Sequence, residues 1–295
     1  MKKLTFIMAI TALALGACTP KEQPVALDIN NEMSAEQIAA ARFTPDVMWK
    51  MGRLGGATLS PDGKSALYTI TRYNMSENRG LTQIYVRNMA TGEEVALTDN
   101  TSSNSDAQWS ADGSKIYFTS NRSGSTQLWQ MLPNGTALNQ ITDIDGGIEG
   151  YGVAPTDDKL FYVKKVHAAD TKSSDIYKDM DKSKARIYDD LMARHWDYWD
   201  EGDYSHIFVA DLTAEGLKND KDILGAEAAW DAPLAPYFDT AEIAWSNNGK
   251  MLAYTCKPLT GAEYAVSTDS DIFIYNTEDG SILNINKIKS NAGMR

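Results

Sequence analysis

The histidines are the first residues to consider for catalysis or metal binding. His195 and His206 have acids nearby, Asp203 among them, so imidazole and carboxylate groups suitable for a zinc site are present. Apolar residues recur at helical spacing through this segment, however, and they place His195 on one face with Trp196 and Trp199. That spacing favours a packed, hydrogen-bonded histidine over a metal ligand.

The other reactive side chains also have structural interpretations. The acids between residues 170 and 190 alternate with lysines, which is typical of a solvated surface, and they lack the Asp-x-Asp-x-Asp-Gly order of a calcium loop. Cys256 follows an apolar run, where we expect a small packed side chain, and no motif joins it to a histidine. We therefore expect no metal and no cofactor.

A turn-and-strand block that occurs four times indicates the elements that must position any site. Each copy is a turn rich in Ser, Asp, Asn and Gly, followed by a strand of alternating apolar residues. The turns are Leu59–Lys64, Trp109–Lys115, Val153–Lys159 and Trp245–Lys250. One copy cannot bury its apolar face alone, so the copies are expected to pack together as blades of a β-propeller.

The spacing of the copies predicts four blades. The turns at Asp62, Asp112 and Thr156 lie 50 and 44 residues apart, close to the length of a four-stranded blade. The fourth turn comes 92 residues after the third, yet each turn has only one later apolar marker strand. These markers are Ile84–Val86, Leu128–Gln130, Ile207–Val209 and Ile272–Ile274. The long interval is therefore interpreted as an insertion in blade 3, over residues 167–203.

Helices are predicted before the first blade and inside the insertion. Ser34 and Gln37 have the spacing of a capping box, and Thr44 precedes a proline at the first position of a second helix. The apolar residues from Ile187 to Trp199 predict a helix with one buried face. The predicted fold class is all-β: a partial propeller of about four blades, with two short N-terminal helices and a helical insertion in blade 3.

Composition and the N-terminus bear on partners and location. At 295 residues and 43% hydrophobic content the chain can bury a core, while its net charge of −12 argues against nucleic acid as a partner. Lysines at positions 2 and 3 precede the apolar run Leu4–Leu15, and Leu15–Cys18 resembles the bacterial lipoprotein box. We expect a signal peptide at 1–18 and a lipid on Cys18. The mature protein is then expected to be a membrane-anchored periplasmic or cell-surface lipoprotein.

The repeated turn and the insertion resemble the prolyl oligopeptidase family of serine peptidases, in its dipeptidyl-peptidase and acylaminoacyl-peptidase branch. The Ser-Pro-Asp-Gly-Lys turn at 60–64 is shared by many periplasmic propellers, including TolB-type proteins, and is moderately specific. The segment Arg194–Trp199, which reads Arg-His-Trp-Asp-Tyr-Trp, is far more specific, and Ala185–Leu191 precedes it. The resemblance covers nearly everything after Phe43.

The resemblance implies a C-terminal α/β-hydrolase domain with a Ser–Asp–His triad. This sequence has no G-x-S-x-G elbow and no region of alternating strands and helices. We therefore expect the triad beyond Arg295, assign no catalytic residue here, and expect this chain alone to be inactive. The expected organisation is a signal peptide (1–18), a tether with a short helix (19–43) and a partial propeller (44–295).

The resemblance also implies that a propeller carboxylate can bind the free N-terminus of a peptide substrate. Glu149, in a glycine-rich segment that enters blade 3, is our first candidate, and Glu201 and Asp203 are its rivals. An ion pair with the substrate ammonium would discriminate against blocked peptides. No family motif selects one of the three.

The expected function is that of a substrate-gating propeller in a secreted serine exopeptidase that acts on oligopeptides. Its expected partners are peptide substrates and, through the lipid anchor, a membrane. The alternative is a non-catalytic, TolB-like propeller that holds a protein or envelope component.

Overall fold

The computed structural model describes residues 25–29, 31–234 and 240–287. The predicted signal peptide and its lipidated Cys18 lie outside the described residues, so both stay predictions. Within the described ranges, every helix is too short or too polar to cross a membrane.

Four antiparallel sheets of four strands follow one another along the chain. In chain order, the strands are β1 (Arg53–Leu59), β2 (Ser65–Asn74), β3 (Arg79–Asn88), β4 (Glu94–Ala96), β5 (Asn104–Trp109), β6 (Ile116–Ser120), β7 (Gln127–Met131), β8 (Asn139–Gln140), β9 (Gly150–Val153), β10 (Lys159–His167), β11 (Arg194–His195), β12 (Tyr198–Trp199), β13 (Asp203–Thr213), β14 (Gly216–Asp222), β15 (Ile243–Trp245), β16 (Met251–Cys256), β17 (Asp271–Asn276) and β18 (Ile282–Asn284). Blades 1, 2 and 4 are β1–β4, β5–β8 and β15–β18. Blade 3 is β9, β10, β13 and β14, and β11 pairs only with β12. The prediction of an all-β propeller portion with four blades is confirmed.

The hydrophobic core lies between the blades. Leu67 and Ile84 of blade 1 pack with Ile116 and Phe118 of blade 2. A second cluster joins blades 2 and 3, and a third, which contains Leu252, joins blades 3 and 4. Each strand therefore buries its apolar side chains against the next copy, as the repeat requires.

Hydrogen bonds from the serine explain why the turn sequence recurs. In blade 1 the Ser60 hydroxyl donates to Asp62 (2.6 Å) and accepts the backbone N–H of Ser65 (3.0 Å). Gly63 lies between them at φ 70°, a conformation that favours glycine. Blades 2 and 4 repeat both bonds, through Ser110 with Asp112 and Lys115 and through Ser246 with Asn248 and Met251.

The degraded third copy keeps the backbone of this turn without the serine. Ala154 still exchanges backbone bonds with Lys159 and Asp157, both 2.9 Å long. Asp157 takes the glycine position at φ 55°, and its carboxylate accepts the backbone N–H of Ala111 in the blade 2 turn (2.7 Å). The replacement of glycine by Asp157 thus adds a hydrogen bond between blades 2 and 3.

A polar side chain precedes the marker strand in every blade and fixes the end of the fourth strand. These residues are Gln83, Gln127, His206 and Asp271, bonded to Thr98, Thr142, Asp222 and Asn284. His206 is fully buried, with Nδ1 bonded to Asp222 and Nε2 to the carbonyl of Ala228, both at 2.8 Å. Both ring nitrogens are therefore used by the fold, which makes His206 a structural residue.

The two predicted N-terminal helices are confirmed. They are α1 (Ala35–Ala40), with the Ser34 and Gln37 side chains forming the capping box, and α2 (Pro45–Lys50), capped by Thr44. The ring of Trp49 packs edge-on against Tyr73 of β2 at 5.1 Å. The second helix therefore lies against blade 1.

The first strand begins soon after the second helix and contains a bulge. It starts at Arg53 and includes Gly55 and Gly56. The β1–β2 register shifts there, and a Cβ on Gly55 would lie 2.1 Å from the Thr69 hydroxyl. Gly55 therefore makes room for a β-bulge within the blade.

The prediction of a helix over Ile187–Trp199 is wrong. The insertion leaves the sheet after His167, which pairs with Asp203 where the chain returns, and it contains a single helical turn, α3 (Ser173–Ile176). Residues 187–199 instead form a loop and the β11–β12 hairpin. Tryptophan, tyrosine, histidine and aspartate are poor helix formers, and Arg194 lies across the hairpin over the ring of Trp199 (5.3 Å). Leu191, Met192 and Trp199 of this segment line a cavity rather than one face of a helix.

Candidate functional site

A cavity of about 690 Å³ lies at one end of blades 3 and 4. It forms there because the connections between second and third strands are long in these two blades: the insertion in blade 3, and the segment with α4 (Gly261–Val266) in blade 4. The lining residues are Glu149, Lys165, Ala169, Leu191, Met192, His195, Tyr198, Trp199, Asp200, Glu201, Asp203, Tyr204, Ser205, Ala229, Trp230, Asp231, Pro233, Leu259, Thr260, Gly261 and Tyr264. All three acids proposed from the sequence belong to this lining.

One wall of the cavity is aromatic and contains a buried polar atom. Trp199, Trp230 and Tyr264 contribute to it, and burial raises the pKa of the Tyr264 phenol. His195 also belongs to this wall, and its Nε2 is buried without a hydrogen-bond partner among the described residues. A buried polar nitrogen is normally hydrogen-bonded, so this unpaired atom is unusual. Such a wall accepts apolar groups that carry a few polar atoms.

Glu149 faces a lysine that it shares with a second acid. Its carboxylate lies 3.7 Å from Lys165 Nζ, and within the described residues it has no other ion pair or side-chain hydrogen bond. Lys165 also donates to Ser205 (2.8 Å) and lies 3.4 Å from Asp231. Asp231 in turn accepts the backbone N–H of Ser205 at 2.7 Å, which ties its loop to β13. Glu149 is therefore the less constrained acid of the pair.

Glu201 is occupied by two cations of the insertion. Lys172 lies 2.7 Å away, and the Arg186 guanidinium donates to the same carboxylate. The hydrogen bonds from Lys172 and Arg186 lower the pKa of Glu201. This acid therefore works as a structural tie within the insertion.

Asp203 forms a clasp at the base of the insertion. It lies 2.8 Å from His167 Nδ1, and Asp170 lies 3.2 Å from the other ring nitrogen. The bonds to Asp203 and Asp170 raise the pKa of His167. His167, Asp170 and Asp175 bring ligand atoms within 4.8 Å of one another, but the imidazole already bonds to carboxylates on both sides. We interpret the group as a hydrogen-bonded clasp.

Sequence reasoning missed several residues of the cavity. Lys165, Asp231, Tyr204 and Tyr264 come from four separate segments, and nothing in their local sequence marks them as neighbours. The β10–β13 register supplies one link, because it places Lys165 directly opposite Ser205. Strand pairing also brings together the candidate acids Glu149, Glu201 and Asp203. The start of β9, the end of the insertion and the start of β13 lie at the same end of blade 3.

Comparisons with known proteins agree with this architecture. The family profile described as the TolB beta propeller domain matches residues 34–192. A dipeptidyl-peptidase 5 of Porphyromonas endodontalis is 35% identical over 246 residues, covering 83% of this chain and 35% of that protein. The dipeptidyl-peptidase 5 of Porphyromonas gingivalis is 33% identical, over 97% of this chain and 40% of its own length. The chain thus spans between about a third and two fifths of these relatives.

A solved structure shows the same fold. The Pyrococcus horikoshii acylaminoacyl peptidase superposes with a TM-score of 0.56 over 80% of this chain and 32% of that one, at 16% sequence identity. Likeness at that identity concerns the fold alone. The family profile shows that the chain belongs to the TolB-type β-propeller family, and the dipeptidyl-peptidase relatives agree with its resemblance to the propeller of prolyl oligopeptidase family peptidases.

Proposed function

We propose that this chain is the substrate-selecting propeller of a secreted serine exopeptidase, of the dipeptidyl or acylaminoacyl type, acting on oligopeptides. Support comes from the dipeptidyl-peptidase relatives and from the propeller fold shared with an acylaminoacyl peptidase. The catalytic triad would lie on polypeptide beyond Arg295. Hydrolysis in the complete protein would then pass through an acyl-enzyme.

The observation that carries the proposal is the combination of an under-paired carboxylate and an aromatic wall in one cavity. Among the described residues the Glu149 carboxylate meets only Lys165, at 3.7 Å, whereas Glu201 has two cations and Asp203 has a histidine. Glu149 is therefore the acid best placed to accept the ammonium group of a peptide. Its side chain is 29% exposed, so a ligand can reach it while much of the surrounding water is excluded.

The chemistry of this pairing gives selectivity for free N-termini. A charge-assisted hydrogen bond between ammonium and carboxylate is about twice as strong as a neutral one. An acetylated peptide lacks the charge and cannot form this bond with Glu149, which costs binding energy. The side chain of the first residue can meanwhile pack on the aromatic wall.

Titration of the chain with a dipeptide amide tests the proposal. We expect alanyl-phenylalanine amide to bind, with Glu149→Gln weakening it about ten- to a hundredfold, the range of a hydrogen bond to a charged group. Calorimetry gives both affinities, and the N-acetylated dipeptide should bind weakly to both proteins. Glu215→Gln is the matched control, because Glu215 is an exposed acid remote from the cavity, paired with Lys218.

Equal affinity of the wild type and Glu149→Gln for the free dipeptide would remove Glu149 from the site. In the complete enzyme, the same substitution should lower dipeptide release while the protein still folds. A non-catalytic binding propeller would release no dipeptide at all.

We also propose that the protein is lipidated at Cys18 and held at a membrane outside the cytoplasm. The proposal depends on the charge and apolar pattern of residues 1–18. Mass spectrometry of the N-terminal peptide tests it, and a peptide that retains residues 1–17 would contradict it.

A further inference from the structure

Lys165 lies where an incoming ammonium group would be expected. It is the only lysine or arginine that lines the cavity within the described part of the chain. We propose that Lys165 is an internal counter-ion that limits the site to peptides with one positive charge at their first residue. This inference rests on the proposed role of Glu149 and extends it to the side chain of the substrate.

The distances show which acid can release Lys165 and bind a ligand instead. Lys165 Nζ lies 2.8 Å from the Ser205 hydroxyl, 3.4 Å from Asp231 and 3.7 Å from Glu149. Ser205 is fixed opposite Lys165 in the β10–β13 ladder, and Asp231 is tied to the same strand. Two of the three contacts therefore anchor the lysine on the β13 side. An incoming cation can take Glu149 while Lys165 keeps Ser205 and Asp231.

The local charge sets how many cations the site accepts. Of the other acids in the lining, Glu201 and Asp203 have basic partners, and both carboxylate oxygens of Asp200 accept hydrogen bonds, from the Gly202 N–H and the Tyr204 hydroxyl. In the cluster around Lys165, Glu149 and Asp231 carry two negative charges and Lys165 carries one positive charge, which leaves a single negative charge. One α-ammonium group neutralises it. A peptide that begins with lysine brings a second ammonium group into the same cavity, where it meets the ammonium of Lys165. Two ammonium groups in one cavity repel each other, so the site should bind peptides with a basic first residue more weakly.

Removal of the lysine should change selectivity in a defined direction. We expect the wild type to bind alanyl-phenylalanine amide about fivefold more tightly than lysyl-phenylalanine amide, the effect of one charge at about 4 Å in water. In Lys165→Met the acid pair keeps both negative charges, so this preference should disappear or reverse. Calorimetric titration of both dipeptides measures the ratio.

Lys159→Met is the matched control. Lys159 lies on the same strand, within 4.0 Å of two carboxylates, and its removal changes the net charge equally, but it is remote from the cavity. It should keep the wild-type ratio. The Lys165 side chain is half exposed, so we expect both Lys165→Met and Lys165→Gln to fold, and thermal unfolding checks this.

The outcomes separate the two proposals. If Glu149→Gln binds alanyl-phenylalanine amide as well as the wild type does, the proposed function fails and this inference fails with it. If Glu149 is required but the ratio in Lys165→Met and Lys165→Gln equals that in Lys159→Met, only the inference about Lys165 is overturned.

Discussion

The histidines of this chain have separate roles that their side-chain partners define. His206 is buried in blade 3 and uses both nitrogens for the fold, through Asp222 and a backbone carbonyl. His167 joins the two ends of the insertion through Asp203. His195 alone leaves a buried ring nitrogen without a partner in the described ranges, and its side chain is part of the cavity lining. The residue type therefore said little until its neighbours were known.

The clasp at His167 predicts a dependence of stability on pH. Hydrogen bonds to Asp203 and Asp170 raise the pKa of His167 above 6.5 in the folded state. A raised folded pKa means that the stabilisation is complete below the unfolded pKa and is lost as the pH rises through the folded pKa. The stability difference between wild type and His167→Gln should therefore be largest below about pH 6.5 and should shrink as the pH rises through the raised folded pKa.

Thermal unfolding of both proteins over that range gives the difference. Nearly half of the side chain is exposed, so solvent screening makes the effect small. A difference that stays constant or grows with pH would show that protonated His167 does not stabilise the clasp.

The insertion determines the site at the scale of elements. It departs after β10 and returns at β13 through a backbone crossing in which the N–H groups of Ala168 and Ala169 donate to the carbonyl of Gly202. Its hairpin then covers the cavity with the side chains of Tyr198 and Trp199. The shape of the pocket therefore depends on the close approach of two chain segments at Gly202.

Substitution of Gly202 tests this crossing. Gly202 has φ 78°, and an added Cβ would lie 1.7 Å from the Ala169 carbonyl oxygen. Gly146 is the matched control, since it has φ 76° but open space where its Cβ would be. We expect Gly146→Ala to cost about 1 kcal/mol of unfolding free energy through its backbone conformation alone. Gly202→Ala should cost about 2–3 kcal/mol and weaken dipeptide binding.

Urea unfolding measures both variants, and calorimetry measures binding. Equal losses of stability would mean that the crossing relaxes freely around an added methyl group.

At the scale of the whole molecule, the apolar clusters of the described residues lie between blades, while backbone hydrogen bonds hold each blade together. All three apolar clusters join consecutive blades, and hydrogen bonds such as that from Trp245 to the Gly152 carbonyl (3.0 Å) cross the same boundaries. In repeat proteins of this kind, stability is approximately the sum of each unit and its nearest-neighbour interfaces. The cavity lies at the boundary between blades 3 and 4, so its geometry depends on that interface.

Leu252 measures the contribution of the interface between blades 3 and 4. It is fully buried in the cluster that joins them, so Leu252→Ala should lower the unfolding free energy by about 2–5 kcal/mol. Leu283, in the same blade, is 48% exposed, and its replacement by alanine should cost less than about 0.5 kcal/mol. Urea denaturation of the two variants measures both losses of unfolding free energy. Similar small losses would show that the blades are stable independently.

The sequence by itself determined the number and order of the blades. The bonds that form each turn, such as Ser60 to Asp62 and Ser65, join residues within five positions of one another, so the local sequence specifies them. Alternating apolar residues then specify which face of each strand is buried. The same local logic predicted the caps at Ser34 and Thr44 correctly.

Only the tertiary structure decided the site. The apolar spacing over Ile187–Trp199 fits a helix and a cavity wall equally well. The packing of this segment over the cavity determines that it forms a hairpin. Glu149, Lys165 and Asp231 are separated by up to 82 positions and meet because strand register and loop closure bring their segments together. Contacts of that range depend on the packing of entire blades, which no local pattern encodes.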